Sequence, residues 1–230
     1  MTNIVVLTHN RYRLTKQCLD SLYTTTPRDQ FCLTIVDDGS TDFRTRALVH
    51  DYSTKVANCC AVTVQSSGHD LGRLKNLGVE WSRQRFGEGG WLCLADNDCC
   101  FLPNWHQTMS NYATNTYTKN FRLWGGQQHP YHHPIDGTAE LTYPEYAALP
   151  GTHWFMEWLA WDEWGPLVSE GPGVCRSEDA AFCTRLREAG FKIGVSDPRC
   201  VADCGLTNSE GNPQPGAELR TERVTGVIYE

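Results

Sequence analysis

No run in this sequence approaches the roughly 20 apolar residues that a membrane-spanning helix needs. The first apolar run, Ile4 to Leu7, is short and has no basic leader, so no secretory signal is expected. There is no low-complexity tract and no internal repeat, which argues against linkers, disordered tails and solenoids. There is no excess of positive charge: the formal net charge is −7, which disfavours a broadly basic nucleic-acid surface. Local basic clusters (Arg11, Arg13 and Lys16; Arg73, Lys75, Arg83 and Arg85) read as solvated helix faces. None of the 11 cysteines has CxxC spacing, so a structural zinc site is not expected. Most sit inside apolar runs and read as buried free thiols. A soluble, cytoplasmic protein is the expectation.

What remains is a chain of 230 residues, 40% hydrophobic and 20% charged, enough for one domain with a sizeable core. Its first half alternates two periodicities. "NIVVLT" (3–8), "FCLTIV" (31–36), "VANCCAVTVQ" (56–65) and "WLCLA" (91–95) read as buried strands. Between them lie helical patterns: Leu14, Cys18, Leu19 and Leu22; a segment around 43–52 capped by Thr41-Asp42; and Leu71, Leu74, Leu77 and Trp81 in one stripe, stopped by Gly87 to Gly90. The second half is less regular. "FRLWGGQQ" (121–128) reads as a strand and 129–152 as a long loop. An aromatic stretch from His153 follows, then a capped helix from Ser177, a further strand, and a polar tail from about 207. Strands alternating with helices imply an α/β fold with a mostly parallel sheet flanked by helices.

In such sheets ligands sit at the carboxyl ends of the strands. Asp37-Asp38 closes the second strand and Asp96-Asn97-Asp98 closes the fourth, so both acidic pairs should share one rim. Carboxylates gathered there repel one another and call for a compensating cation. Mg²⁺ or Mn²⁺ fits: each accepts one or two carboxylates and completes its shell with phosphate oxygens and water.

Five ordered stretches, "IVVLTHNRYRLTKQCLDSL", "IVDDGSTD", "GRLKNLGVEW", "WLCLADND" and "SEDAAFCTRLREAGFKI", resemble those of family 2 inverting glycosyltransferases of GT-A fold, across roughly residues 3–205. The resemblance implies a single Rossmann-like GT-A domain. Residues 1–100 would bind the nucleotide sugar, 101–206 would carry acceptor and catalytic groups, and 207–230 would form a tail or lid. It implies a nucleotide-diphosphate sugar donor, a UDP-sugar by family frequency, and Mn²⁺ or Mg²⁺ at a DXD motif. Thr8, Asn10 and Arg11 would lie against the nucleotide. Asp37 and Asp38 would read base or ribose, and Arg73, Lys75 and Asn76 would stand near the nucleotide. Asp96 would contact ribose or a metal-bound water, with Asn97 beside it, and Asp98 would bind the metal. Asp179 matches the usual catalytic base. Trp161, Asp162 and Glu178 would belong to the acceptor site.

Those roles suit one in-line displacement, in which a metal takes up charge on the leaving diphosphate and a carboxylate takes the acceptor proton. The resemblance departs after the last core strand: "DPRCVADCGLTNSEG" has no histidine where the family often has a third metal ligand. Asp203 is the hard-donor candidate there and Cys204 is less suited. His153 is an alternative, although a lone histidine is more often structural. "HPYHHP" (129–134) reads as a rigid acceptor loop in preference to a soft-metal site. The acceptor class stays open between glycan, lipid-linked sugar, protein, small metabolite and modified nucleobase. Two competitors are a nucleotidyltransferase, disfavoured because "THNRYR" lacks glycine, and a degenerate binding module, disfavoured because Asp96, Asp98 and Asp179 occur together.

Overall fold

The computed structural model describes residues 1–65, 70–126, 145–146, 148–149, 153–168, 177–196 and 200–203. The histidine-rich segment 129–134, most of the long loop, and the tail from 207 lie outside the described residues. Elements follow in the order β1 (Thr2–Thr8), α1 (Tyr12–Thr25), β2 (Phe31–Asp37), α2 (Phe43–Lys55), β3 (Cys59–Thr63), α3 (Leu71–Phe86), β4 (Trp91–Asp96), β5 (Cys99–Phe101), α4 (Trp105–Thr114), β6 (Phe121–Gly125), β7 (His153–Glu157), α5 (Trp158–Trp164), α6 (Ser177–Glu188), β8 (Lys192–Val195) and β9 (Val201–Asp203).

Seven strands form one sheet in the order β3-β2-β1-β4-β7-β6-β8. Every pairing is parallel except those of β7, which runs antiparallel to both β4 and β6. The expected α/β architecture is therefore the observed one. The strands are apolar on both faces because helices cover both. Ile4, Val6, Leu33 and Ile35 face one cluster with Leu19, Leu22 and Trp105. Val5, Leu7, Val36 and Leu94 face the other with Leu74, Val79, Trp154 and Phe182. A separate ribbon pairs β5 with β9 and places Asp203 opposite Cys99.

Three expectations change. The α3 stripe does not include Trp81, which is 41% exposed; the buried face is Gly72, Leu74, Lys75, Gly78, Val79 and Ser82. Helical spacing among large apolar residues points to the wrong face because glycine sets the approach. A Cβ on Gly78 would lie 2.3 Å from Val5 Cγ1 and 2.7 Å from Val36 Cγ2, so only glycine lets α3 sit this close to the sheet. Second, His153 is a core residue and not a metal ligand. Gly126 N donates to its Nδ1 at 3.0 Å, Cys93 Sγ lies 3.5 Å from Nε2, and burial drives its pKa down to about 3. Third, Asp42 alone supplies the side-chain cap of α2, accepting from Arg44 N, and the helix runs on to Lys55. The cysteines conform in burial: eight of the nine described ones are buried.

Gly78→Ala should cost about 1–3 kcal/mol, because both facing groups are methyls of rigid, buried valines. Urea unfolding of the variant against the parent chain measures it.

Candidate active site

The rim is fixed by strand register. β1 lies between β2 and β4, with Thr8 paired to Asp37 and Leu7 to Asp96. The acidic ends of β2 and β4 thus emerge at the same end of β1, as the sequence pattern anticipated.

The loop leaving β1 is held from several directions. Asn10 and Arg11 both adopt left-handed backbone, with φ 54° and 55°. That conformation costs an ordinary residue roughly 1–2 kcal/mol, less for asparagine, and needs compensation. Asn10 supplies it: its N–H donates to Ser40 Oγ at 2.7 Å, and its Oδ1 accepts from Thr41 N at 2.9 Å and Asp42 N at 2.8 Å. Asp37 Oδ1 accepts from Ser40 N and Oγ at 3.1 and 2.5 Å, which closes the turn after β2. His9 Nδ1 lies 2.7 Å from the carbonyl oxygen of the buried Asp38. Beneath the loop, Asn97 Nδ2 donates to Thr15 Oγ1 at 2.9 Å and to Thr8 Oγ1 at 3.3 Å, and the two hydroxyls bond at 2.8 Å. Thr8, Asn97 and Asp37 are thereby committed to building the loop. Sequence reading included His9 in the loop from Thr8 to Arg11 but missed Thr15 and Ser40 as site residues, which have no motif signal until the fold brings them together.

Arg11 reaches across to the other acidic group. Its Nη1 is 3.2 Å from Asp98 Oδ2, with side-chain exposures of 20% and 15%.

The second cluster centres on Lys75, which is fully buried in the second turn of α3. Its Nζ lies 3.4 Å from Asp179 Oδ1 and 3.8 Å from Glu178 Oε1, in the first turn of α6, and 5.6 Å from the centroid of the Trp154 ring. Burial opposes the ammonium charge, but Asp179, Asp96 and Glu178 outweigh it and hold the Lys75 pKa above its usual value. Asp96 shows the reverse balance. Burial pushes its carboxyl up to about 7 against the pull of Lys75, and Asp98, Asp179 and Glu178 add to the rise. Glu178 is also raised, by burial and then by Asp179. Asp96 Oδ1 and Glu178 Oε1 are buried and accept no hydrogen bond among the described residues.

This donor set suits a hard divalent cation: the atoms are carboxylate oxygens, and an added positive charge would offset the burial that now favours protonated Asp96. Among the described residues no three His, Cys, Asp or Glu side chains converge tightly enough to hold an ion unaided. Mg²⁺ sites commonly need only one or two carboxylates beside substrate phosphates. The backbone of Asp203 lies opposite Cys99, the neighbour of Asp98; its side chain is outside the described residues.

Other expected site residues lie elsewhere or face elsewhere. Asn76 is spent on the backbone of Leu167, donating to its O at 2.9 Å and accepting from its N at 2.8 Å. The Arg73 side chain is exposed, and its N–H donates to the helix-capping Asp70. Trp161 is packed in the core beside Phe182, and Asp162 pairs with Arg83, two turns beyond Lys75 along α3. Lys75, expected near the nucleotide, ion-pairs instead with the two acids of α6.

Residues 3–135 match the family described as glycosyl transferase family 2. No curated protein matches the sequence. Among solved structures, Staphylococcus aureus TarS 1–349 in complex with UDP-GlcNAc aligns with a TM-score of 0.65 at 17% identity, covering 87% of this chain and 57% of that one. The mannosyltransferase PcManGT from Pyrobaculum calidifontis, in complex with GDP-Man and Mn²⁺, gives 0.59 at 17%, covering 85% and 56%. GalNAc-T7 with UDP, GalNAc and Mn²⁺ gives 0.72 at 14%, covering 100% and 48%. The chain thus spans roughly half the length of these structural relatives, and at such identities the likeness speaks for the fold. With more than half of its length matched by the family, over the strands and loops that build the acidic rim, this chain belongs to glycosyl transferase family 2.

Proposed function

We propose that the chain is a metal-dependent, inverting glycosyltransferase that moves a sugar from a nucleotide-diphosphate donor to an acceptor hydroxyl. What carries the reading is one assembly: Asp96 and Asp98 at the end of β4, facing the Lys75–Glu178–Asp179 group that joins α3 to α6. The nucleotide-sugar and Mn²⁺ complexes of the structural relatives support it by analogy of fold.

The loop of His9 to Arg11 and the buried Asp38 form the wall on which base and ribose rest. Asp98, with Asp96 behind it, would hold Mn²⁺ or Mg²⁺, and Asp203 is the third ligand proposed. Such an ion, when bound, supplies Lewis-acid stabilisation of charge on the leaving diphosphate. Asp179 takes the proton of the attacking hydroxyl. It is the less buried member of its pair, with 20% side-chain exposure against 4% for Glu178, so it can meet an acceptor. Lys75 holds the Asp179 carboxylate in place through their ion pair. Attack opposite the leaving group inverts the anomeric carbon.

Thermal melting against UDP, GDP and their sugars, with and without Mn²⁺, tests donor and metal together. A matching nucleotide at a hundredfold excess over Kd should add about 2.7 kcal/mol of stability. The Mn²⁺-dependent part of that shift should vanish in Asp98→Ala; a full shift in the variant would place the metal elsewhere. Asp179→Asn should lower turnover by about 10²–10⁴-fold while donor affinity stays within a factor of two or so. Near-normal turnover would remove Asp179 from the base role. Lys75→Met should destabilise the fold by about 3 kcal/mol, since it strands buried carboxylates, and denaturant titration reads that directly.

A further inference from the structure

We propose that Arg11 is an internal counter-ion of Asp98 that competes with the metal ion, so that metal binds tightly only together with a nucleoside diphosphate. The inference rests on the metal reading above and adds to it an order of assembly built into the chain.

The geometry begins with the backbone. Arg11 holds left-handed dihedrals at the entrance to α1, a conformation fixed upstream by the three hydrogen bonds of Asn10 and downstream by Thr15 N donating to Arg11 O at 3.0 Å. A residue in helical or extended backbone here would leave the loop along a different path. As it stands, the guanidinium crosses from the end of β1 to the turn after β4 and meets Asp98 Oδ2 at 3.2 Å. Both side chains are mostly sheltered, at 20% and 15% exposure, so solvent screens the pair less than it would a surface ion pair.

Charge counting gives the contact its consequence. Among the described residues, Asp96, Asp98, Glu178 and Asp179 gather around two cations, Arg11 and Lys75. A divalent ion brought to this rim adds two positive charges. Yet the ion's expected carboxylate already carries a guanidinium, and a cation arriving alone must displace Arg11 or be repelled by it. A diphosphate changes the balance. It brings several negative charges to the same rim, and its planar pairs of oxygens match the guanidinium fork. Arg11 then has an alternative anion, and Asp98 is released to the metal. Lys75 has no such freedom, being enclosed in the core. Because linkage is reciprocal, diphosphate and metal must each raise the other's affinity by the same factor.

Mn²⁺ binding, followed by the electron paramagnetic resonance of the free ion, tests this on the whole chain. Wild type is titrated alone and with UDP or GDP, with correction for Mn²⁺ held by free nucleotide. Arg11→Asn removes the charge and keeps a residue that tolerates left-handed backbone; Arg11→Lys keeps the charge. The expected result is that nucleotide tightens Mn²⁺ binding to wild type at least tenfold. Arg11→Asn should bind Mn²⁺ alone at least tenfold tighter than wild type and lose most of the nucleotide effect, while Arg11→Lys stays near wild type. A merely structural role for Arg11 would weaken metal binding in Arg11→Asn. If wild type binds Mn²⁺ equally well with and without nucleotide, the proposal is overturned whatever the variants do. If wild type shows the coupling and Arg11→Asn binds Mn²⁺ alone no tighter, the Arg11 role is wrong and the metal site stands. If Mn²⁺ binds under no condition, the metal reading itself fails and takes the proposal with it.

Discussion

A lysine ammonium enclosed by protein is the interaction on which the rest of this structure depends. Lys75 rises from α3, which belongs to the regular βα repeat of the first half, and it meets Glu178 and Asp179 on α6 in the second half. Neither partner tolerates that burial alone. The ammonium would be driven toward its neutral form and the carboxylates toward theirs. Brought together they compensate one another, and the contact ties the two halves across the rim. The pair therefore acts as a structural tie, and its ammonium pulls the Asp96 carboxyl down against the larger effect of burial. Asp96 shows what burial does in this cluster when compensation is incomplete: its carboxyl rises to about 7.

Glycine and backbone geometry make that tie possible. Lys75 reaches the acids only because α3 sits low on the sheet, and Gly78 grants that approach by leaving no Cβ against Val5 and Val36. On the other side of β1 the constraint is dihedral. Consecutive left-handed residues at Asn10 and Arg11 turn the chain over the ends of β1 and β2. A net of hydrogen bonds from Thr8, Thr15, Asn97, Ser40 and the start of α2 secures them. The rim thus has a rigid wall made of polar side chains whose hydrogen-bonding capacity is largely used, and a charged floor whose oxygens are not all used.

The fold class, the succession of strands and helices through β4, and the shared rim of the two acidic pairs were legible in the linear pattern. Buried parallel strands write themselves as unbroken β-branched runs, and acids that end such runs must emerge together once the strands align. Three kinds of residue were misread. Trp81 looked like core because spacing counts large apolar side chains, whereas the packing of α3 is set by its glycines. Asn76, Trp161 and Asp162 carry types that suit a binding site, yet each is absorbed by a local need: a backbone amide pair, an aromatic core, and an arginine on α3. Lys75 was placed by motif near the nucleotide without sight of its ion pairs with acids 103 and 104 positions later, a contact no local pattern encodes.

By itself, then, the sequence determined the strands of the first half through β4 and which of their ends are acidic. These follow from periodicity and charge, which are local properties. Tertiary structure alone decided which acid meets which cation. It brought Arg11 to Asp98 and Lys75 to Asp179, and it turned His153 inward to the core. Those outcomes depend on the approach of whole elements and on burial, which sets the cost of each charge, and neither quantity exists until the sheet and its helices have closed around it.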